Sequence, residues 1–116
     1  MADATSGPAL ELARRWFKAL DERNAGAAAV LVSEDCRITN PTGGDDLVGP
    51  AGVRQLLHMA PPTLTRSVRE EAVDGSTVIV RGLTRVPGAF ANYTTWTFQT
   101  DGERITHLTF AWRPAN

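Results

Sequence analysis

The sequence is poor in the residues that mark several large classes of protein. Only one of its 116 residues is a cysteine, so the chain cannot form an internal disulfide. No apolar run is long enough to span a bilayer, and the first residues do not resemble a secretion signal. We therefore expect a cytoplasmic protein that has no membrane segment and does not depend on disulfides.

The sequence also has no large excess of positive or negative charge. The 12 Lys and Arg residues nearly balance the 13 Asp and Glu residues, and the basic residues gather on no single segment. This argues against the electrostatic footprint of a nucleic-acid-binding protein. The sequence also contains no metal-ligand cluster and no glycine-rich phosphate loop. We expect no nucleic-acid partner, no metal and no organic cofactor.

What is present suits one compact domain. With 42% hydrophobic residues the chain can bury one core but is too short for two. Residues 1–7 show no periodic pattern, and we predict a flexible lead-in followed by a single domain over 8–116. Helical spacing of apolar residues predicts a helix over Pro8–Arg23, capped by Ser6. Further helices are predicted over Ala27–Val32 and from Gly49 to about Met59.

The second half of the chain has the pattern of strands separated by tight turns. Alternation on the last strand places Leu108, Phe110 and Trp112 on one face and His107 on the other. Helices followed by strands predict an α+β fold with an antiparallel meander whose apolar face is covered by the helices. The predicted strands are Asp35–Thr39, Leu64–Ala72, Thr77–Val86, Phe90–Gln99 and Ile105–Arg113.

Two stretches of the sequence resemble a known family. The segment Arg15–Leu57, with its N-P-x-G loop and V-G-P-A-G helix start, and the closing segment DGERITHLTFAW resemble the ketosteroid isomerases. These belong to the nuclear-transport-factor-2-like, or SnoaL-like, superfamily. The resemblance implies a cone-shaped, curved antiparallel sheet packed on three N-terminal helices, with a pocket at one end and often a homodimer.

The resemblance also implies that the family's usual catalytic residues are replaced. The tyrosine of the first helix matches Trp16, and the aspartate base matches Asn40. The second aspartate matches Thr94, or Thr95 if the hairpin is aligned without a gap, and Thr94 is preferred because it shares the apolar face. An asparagine cannot accept the proton that the family's base removes. We expect no efficient isomerisation by the family's route.

The sequence nevertheless predicts a pocket for a small apolar molecule. Asn40 and Thr94 are the candidate catalytic residues, which would orient and polarise a substrate. The candidate substrate-binding residues are Trp16, Leu57, Trp96, Phe110 and Trp112. Two plainer interpretations stay open: the aromatic residues can simply pack the core, and Asn40 can cap the turn that begins at Pro41.

Other residues offer a proton acceptor only under special conditions. Asp45 and Asp46 lie in a loop that can overhang the pocket, although solvated loop charge is the simpler interpretation. His107 would need a strand bulge to turn inward. His58 is expected at the surface and Cys36 in the core, where its thiol is not activated.

Three functional hypotheses follow. The first is a pocket protein that acts on or holds an apolar, ring-containing metabolite, with isomerase- or cyclase-like chemistry if it is an enzyme. The second is a non-catalytic ligand-binding or dimeric assembly module. The third is a divergent limonene-type epoxide hydrolase, in which Asn40 would hold water and Arg81 or Arg85 would supply the arginine. The third lacks an aspartate between Gly75 and Thr100.

Overall fold

The computed structural model describes residues 7–115 and begins with three helices. Helix α1 spans Gly7–Asp21, α2 spans Ala25–Ala29 and α3 spans Gly49–Met59. The predicted cap, Ser6, lies outside the described residues. None of the described helices is long and apolar enough to cross a membrane.

The helices are held by the apolar faces that the sequence pattern predicts. On α1 one stripe of residues is buried, and this stripe contacts the later strands. The Asn24 side chain caps α2 by accepting a hydrogen bond from the backbone N–H of Ala27. Helix α2 contacts both α1 and α3. The predicted second helix extended too far, because Val32 already belongs to a strand.

Six strands form one curved, unclosed sheet, which confirms the α+β cone. Their order across the sheet is β2-β1-β6-β5-β4-β3, and the four strands from β3 to β6 make the predicted antiparallel meander. One pairing departs from the antiparallel pattern, because β1 runs parallel to β6. The strands are β1 Val32–Ile38, β2 Leu47–Val48, β3 Thr65–Asp74, β4 Thr77–Val86, β5 Phe90–Thr100 and β6 Ile105–Pro114.

The meander has an inner face, which packs on the helices, and an outer face. The cross-strand pairs Phe98↔Leu108 and Val80↔Trp96 lie on the inner face and are buried in the core. Further toward the ends of the strands, Thr94 pairs with Trp112 on the same face. His107 is exposed on the outer face, as the alternation on the last strand predicts.

One irregularity in β3 changes which of its side chains face inward. The pairing with β4 shifts by one residue between Val68 and Glu70, which leaves Arg69 as an extra, bulged residue. Gly82 lies opposite this point, where a Cβ would stand 3.1 Å from the carbonyl carbon of Ser67. A side chain at this position would therefore press on the β3 backbone, so glycine allows the two strands to approach closely. Before the bulge Arg66 pairs with Thr84, and after it Glu71 pairs with Val80.

Candidate functional site

A row of aromatic side chains runs along the inner face from the core toward solvent. Phe17 of α1 makes an edge-to-face contact with Trp96, at 5.3 Å between ring centroids. Trp96 lies 4.7 Å from Phe110, which in turn lies 5.7 Å from Trp112. These separations are typical of favourable aromatic pairs. The row ends at Trp112, which is 46% exposed although it is a large apolar side chain.

The solvent end of this row forms one wall of an open apolar groove with a volume of about 480 Å³. This volume falls within the range of about 300–1,000 Å³ that is usual for small-molecule sites. Of the predicted substrate-binding residues, Trp96, Phe110 and Trp112 all line the groove. The full lining consists of Pro41, Leu64, Arg66, Thr84, Phe90, Asn92, Thr94, Trp96, Phe110 and Trp112. This lining contains neither a carboxylate nor a histidine within residues 7–115.

Thr94 lies in the lining of the groove, and its hydroxyl is already engaged. Its Oγ1 lies 2.9 Å from Oγ1 of Thr84, the neighbouring inner-face residue on β4, and Thr94 is only 5% exposed. A hydroxyl both donates and accepts, so each of the two can still offer one further hydrogen bond. The pair can thus orient a ligand without being able to act as a strong base.

Arg66, which the sequence analysis did not single out, provides the one charged side chain in the groove lining among the described residues. Its side chain is 14% exposed, and its Cζ lies 6.0 Å from the centroid of the Trp96 ring. That distance is at the outer limit of a cation–π contact. A guanidinium therefore lies beside the aromatic row, in mostly apolar surroundings.

The charge of Arg66 is poorly compensated by the rest of the described chain. Its Nε is buried and has no hydrogen-bond partner among residues 7–115. Its Nη1 lies 3.9 Å from Oδ1 of Asp21, which is beyond hydrogen-bond range, and the Asp21 side chain is 62% exposed. Burial lowers the pKa of the Arg66 guanidinium, an effect that the charge of Asp21 opposes and the charge of Arg23 reinforces.

Asn40 shapes its loop rather than the groove wall. Its Oδ1 accepts hydrogen bonds from the backbone N–H and the hydroxyl of Thr42, at 2.9 and 2.7 Å. Its Nδ2 donates to the backbone carbonyl of Asp45 at 3.0 Å. This is the side-chain-stabilised turn that the plainer interpretation predicts. Pro41, the next residue, reaches the groove, whereas Asp45 and Asp46 are exposed and do not line it.

Trp16 and Leu57 are placed away from the groove. Trp16 is completely buried in the core, and its indole N–H has no hydrogen-bond partner among the described residues. Leu57 lines a narrow crevice of about 30 Å³, which shares Arg66 and Trp96 with the groove. The predicted roles of these two residues in binding thus lack a direct contact with the groove.

Three other candidate residues lie on the outer face or in the core and not in the groove. Arg81 and Arg85, which the epoxide-hydrolase hypothesis offered as its arginine, are exposed on the outer face and do not line the groove; the arginine in the groove is Arg66. Alternating strand geometry explains this, because their neighbours Val80 and Val86 face inward and are buried. Cys36 is buried, and the pKa of its thiol is raised to about 12, mainly by burial and to a smaller extent by the charge of Asp35.

A second concavity of about 490 Å³ lies around the outer face of the meander. Its lining includes the charged side chains of Arg69, Glu70, Arg81 and Arg113, and Arg113 lies over the ring of Tyr93 at 4.9 Å. Small-molecule sites are predominantly apolar with a few placed polar groups. The aromatic groove fits that description better than this charged surface.

Comparison with known proteins agrees with the fold. The SnoaL-like domain family matches residues 13–110. A protein from Sphaerobacter thermophilus is 27% identical, with a TM-score of 0.81, and the match covers 95% of this chain and 98% of that one. A comparison with curated proteins finds no match.

Two further solved structures share the fold at lower identity. A protein provisionally assigned as a ketosteroid isomerase from Kribbella flavida has 22% identity and a TM-score of 0.82, covering 96% of this chain and 82% of that one. An LEH-like epoxide hydrolase from M. tuberculosis has 15% identity and a TM-score of 0.76, and the match covers 93% of this chain and 84% of that one. At these identities the likeness shows the fold alone.

Proposed function

Because the chain belongs to the SnoaL-like domain family, we propose that it is a small-molecule pocket protein that holds a flat, apolar, ring-containing metabolite. The observation that carries the proposal is the aromatic groove. Its walls combine Trp96, Phe110 and Trp112 with few polar groups, which suits a ring system of matching shape. Trp112 would become more buried on binding than the other two, because the ligand would cover its exposed face.

The three tryptophans allow a direct test of binding. In a two-dimensional ¹H–¹⁵N spectrum their indole N–H signals can be followed while a neutral ring compound, such as 2-naphthamide or a steroid enone, is added. The signals of Trp96 and Trp112 should shift, and the signal of buried Trp16 should move least. If no compound in a broad panel shifts Trp96 or Trp112, the proposal is wrong.

A pair of matched variants sharpens this test. Trp112→Ala should weaken binding by about tenfold or more, because burying an aromatic side chain contributes at least about 1.5 kcal/mol. Tyr93→Ala is the control: Tyr93 is 41% exposed, similar to Trp112, but lies on the outer face. Equal losses in both variants would mean that the ligand does not occupy the groove.

A second candidate function is an isomerase- or cyclase-like enzyme. The observation that favours it is the Arg66 guanidinium beside the groove, since a fixed cation in an apolar site can stabilise an oxygen that becomes negative during a reaction. The test compares turnover of enones and polyketide mimics by the wild type, Arg66→Met and Asn40→Ala. Catalysis that needs Arg66 would support the enzyme, and no turnover in the wild type would leave the binding protein.

We also propose that two copies of the chain form a homodimer, as the family resemblance implies. The outer face of β3–β6 is open and carries the exposed Tyr93 beneath Arg113. Sedimentation equilibrium of the wild type and of Tyr93→Glu tests this proposal. A monomeric wild type at high protein concentration would contradict it.

A further inference from the structure

The groove contains an unusual combination of surroundings and charge. Most of its lining is apolar, yet Arg66 brings a guanidinium that is 14% exposed and whose Nε has no partner among the described residues. Taking a charge out of water is costly unless a partner of opposite charge compensates it. Within the described chain Asp21 is the nearest acidic group, at 3.9 Å and mostly in solvent. The site is therefore electrostatically incomplete.

The position of Arg66 is fixed by its surroundings on both sides. The side chain lines the groove and also the crevice that leads to Leu20 and Leu56 on the helices. Arg23 approaches from the helix side, where its Nη2 donates to the backbone carbonyl of Pro61. A second guanidinium on that side disfavours an additional cation and favours an anion.

We propose that the ligand carries a carboxylate, and that Arg66 binds it while the aromatic row holds the attached ring. The planar guanidinium presents several N–H groups in a fork that matches a carboxylate. Trp96 supplies a flat surface next to the guanidinium, so a ring and an acidic group one or two bonds apart would each meet a suitable surface. Thr84 and Thr94 lie in the same lining and can donate a further hydrogen bond. The substrate class is thus an aromatic or polycyclic carboxylic acid, and this inference rests on the proposed binding function.

The experiment uses two probes that differ only in charge. 2-Naphthoate and 2-naphthamide have the same ring system, and their affinities are measured by the indole N–H shifts of Trp96 and Trp112. The wild type should bind 2-naphthoate about 10- to 100-fold more tightly, the range expected for hydrogen bonds to a charged partner. Arg66→Met should lose this preference while still binding 2-naphthamide.

Two further variants separate a binding role from a structural one. Arg81→Met removes an exposed outer-face arginine and should keep the preference. Asp21→Asn removes the nearby carboxylate and should leave the preference unchanged or increase it up to severalfold, because a competing anion has been removed. A loss of preference in Asp21→Asn would instead mean that the two residues form a structural pair, and the inference would be overturned.

The possible failures of the two proposals are distinguishable. Equal affinity of the wild type for both probes overturns the carboxylate inference while the apolar pocket stands. Binding of neither probe, and of no other ring compound, overturns the pocket as well. A preference for 2-naphthoate that persists in Arg66→Met also overturns the inference, because the charge would then be recognised elsewhere.

Discussion

The unfolding stability of Arg66→Met provides a strong check on the reasoning about the groove. If Arg66 is retained for a ligand, the ligand-free protein should tolerate its loss or become more stable. Methionine is unbranched and flexible, so it can fill most of the space of the arginine stem without adding a polar group. The side chain is 14% exposed, so the substitution acts mainly on buried atoms.

The expected magnitude follows from the contacts of Arg66. Removing a buried, unsatisfied donor such as Nε is worth about 1–3 kcal/mol. Against this stand the contact with Trp96 at 6.0 Å, worth about 0.5–1 kcal/mol, and the loose pair with exposed Asp21, worth about 0–1 kcal/mol. The net change should be a gain of about 1 kcal/mol, or about 4 °C in Tm for a domain of this size.

Urea and thermal unfolding followed by circular dichroism measure this change directly. Arg81→Met is the matched control: its side chain is 51% exposed, and its substitution should alter the free energy of unfolding by no more than about 0.5 kcal/mol. A loss of about 1 kcal/mol or more in Arg66→Met, with an unchanged control, would refute the reasoning. Arg66 would then be a structural residue whose charge the protein already compensates.

Three other measurements test the remaining interpretations. Thr94→Val should cost about 1–2 kcal/mol in stability because it leaves the Thr84 hydroxyl unpaired. In a double-mutant cycle, the double variant Thr84→Val/Thr94→Val should cost less than the sum of the two single changes. Trp16→Phe should change stability by no more than about 1.5 kcal/mol, because the substitution loses volume but also removes an unpaired buried N–H. Trp16→Ala should cost about 3–5 kcal/mol in the same unfolding assay. A large loss in Trp16→Phe would reveal a partner for the indole N–H. Cys36 should resist thiol reagents at pH 8 in the folded protein and react on unfolding, and rapid labelling of the folded protein would contradict its burial. Because its folded pKa, about 12, lies above the ordinary value of 9.0, its contribution to stability is fully present below pH 9 and is lost as pH rises toward 12.

Much of the fold could be predicted from periodicity alone. Strand β4 has the predicted bounds, and the predicted inner face of β6 is confirmed by Leu108 in the core and Trp112 in the groove. The parallel pairing of β1 with β6 could not be predicted, because neighbours distant in sequence leave no local pattern. Strand β2 has only two residues, Leu47 and Val48, and is too short to show alternation.

The candidate site was predicted in part, and for reasons that differ between residues. Trp96, Phe110 and Trp112 follow from simple alternation and line the groove. Asn40 offered two interpretations, and its hydrogen bonds to Thr42 and Asp45 belong to the turn. No local pattern marks Arg66, because charged residues occur at both alternating positions of β3 and most of the strand is exposed.

The bulge at Arg69 has a consequence for comparing this chain with its relatives. Counting back from the turn pair Asp74↔Thr77 with unbroken pairing would place Arg66 opposite Arg85, on the outer face. The one extra residue instead pairs Arg66 with Thr84 and brings its charge to the groove. Deleting Arg69 should therefore leave Arg66 opposite Thr84, because Val68↔Gly82 would then be followed directly by Glu70↔Arg81 without a bulge. A relative without this extra residue would carry the counterpart of Arg66 one place nearer to the turn between β3 and β4, so an alignment counted from that turn without a gap would match the wrong residue to Arg66.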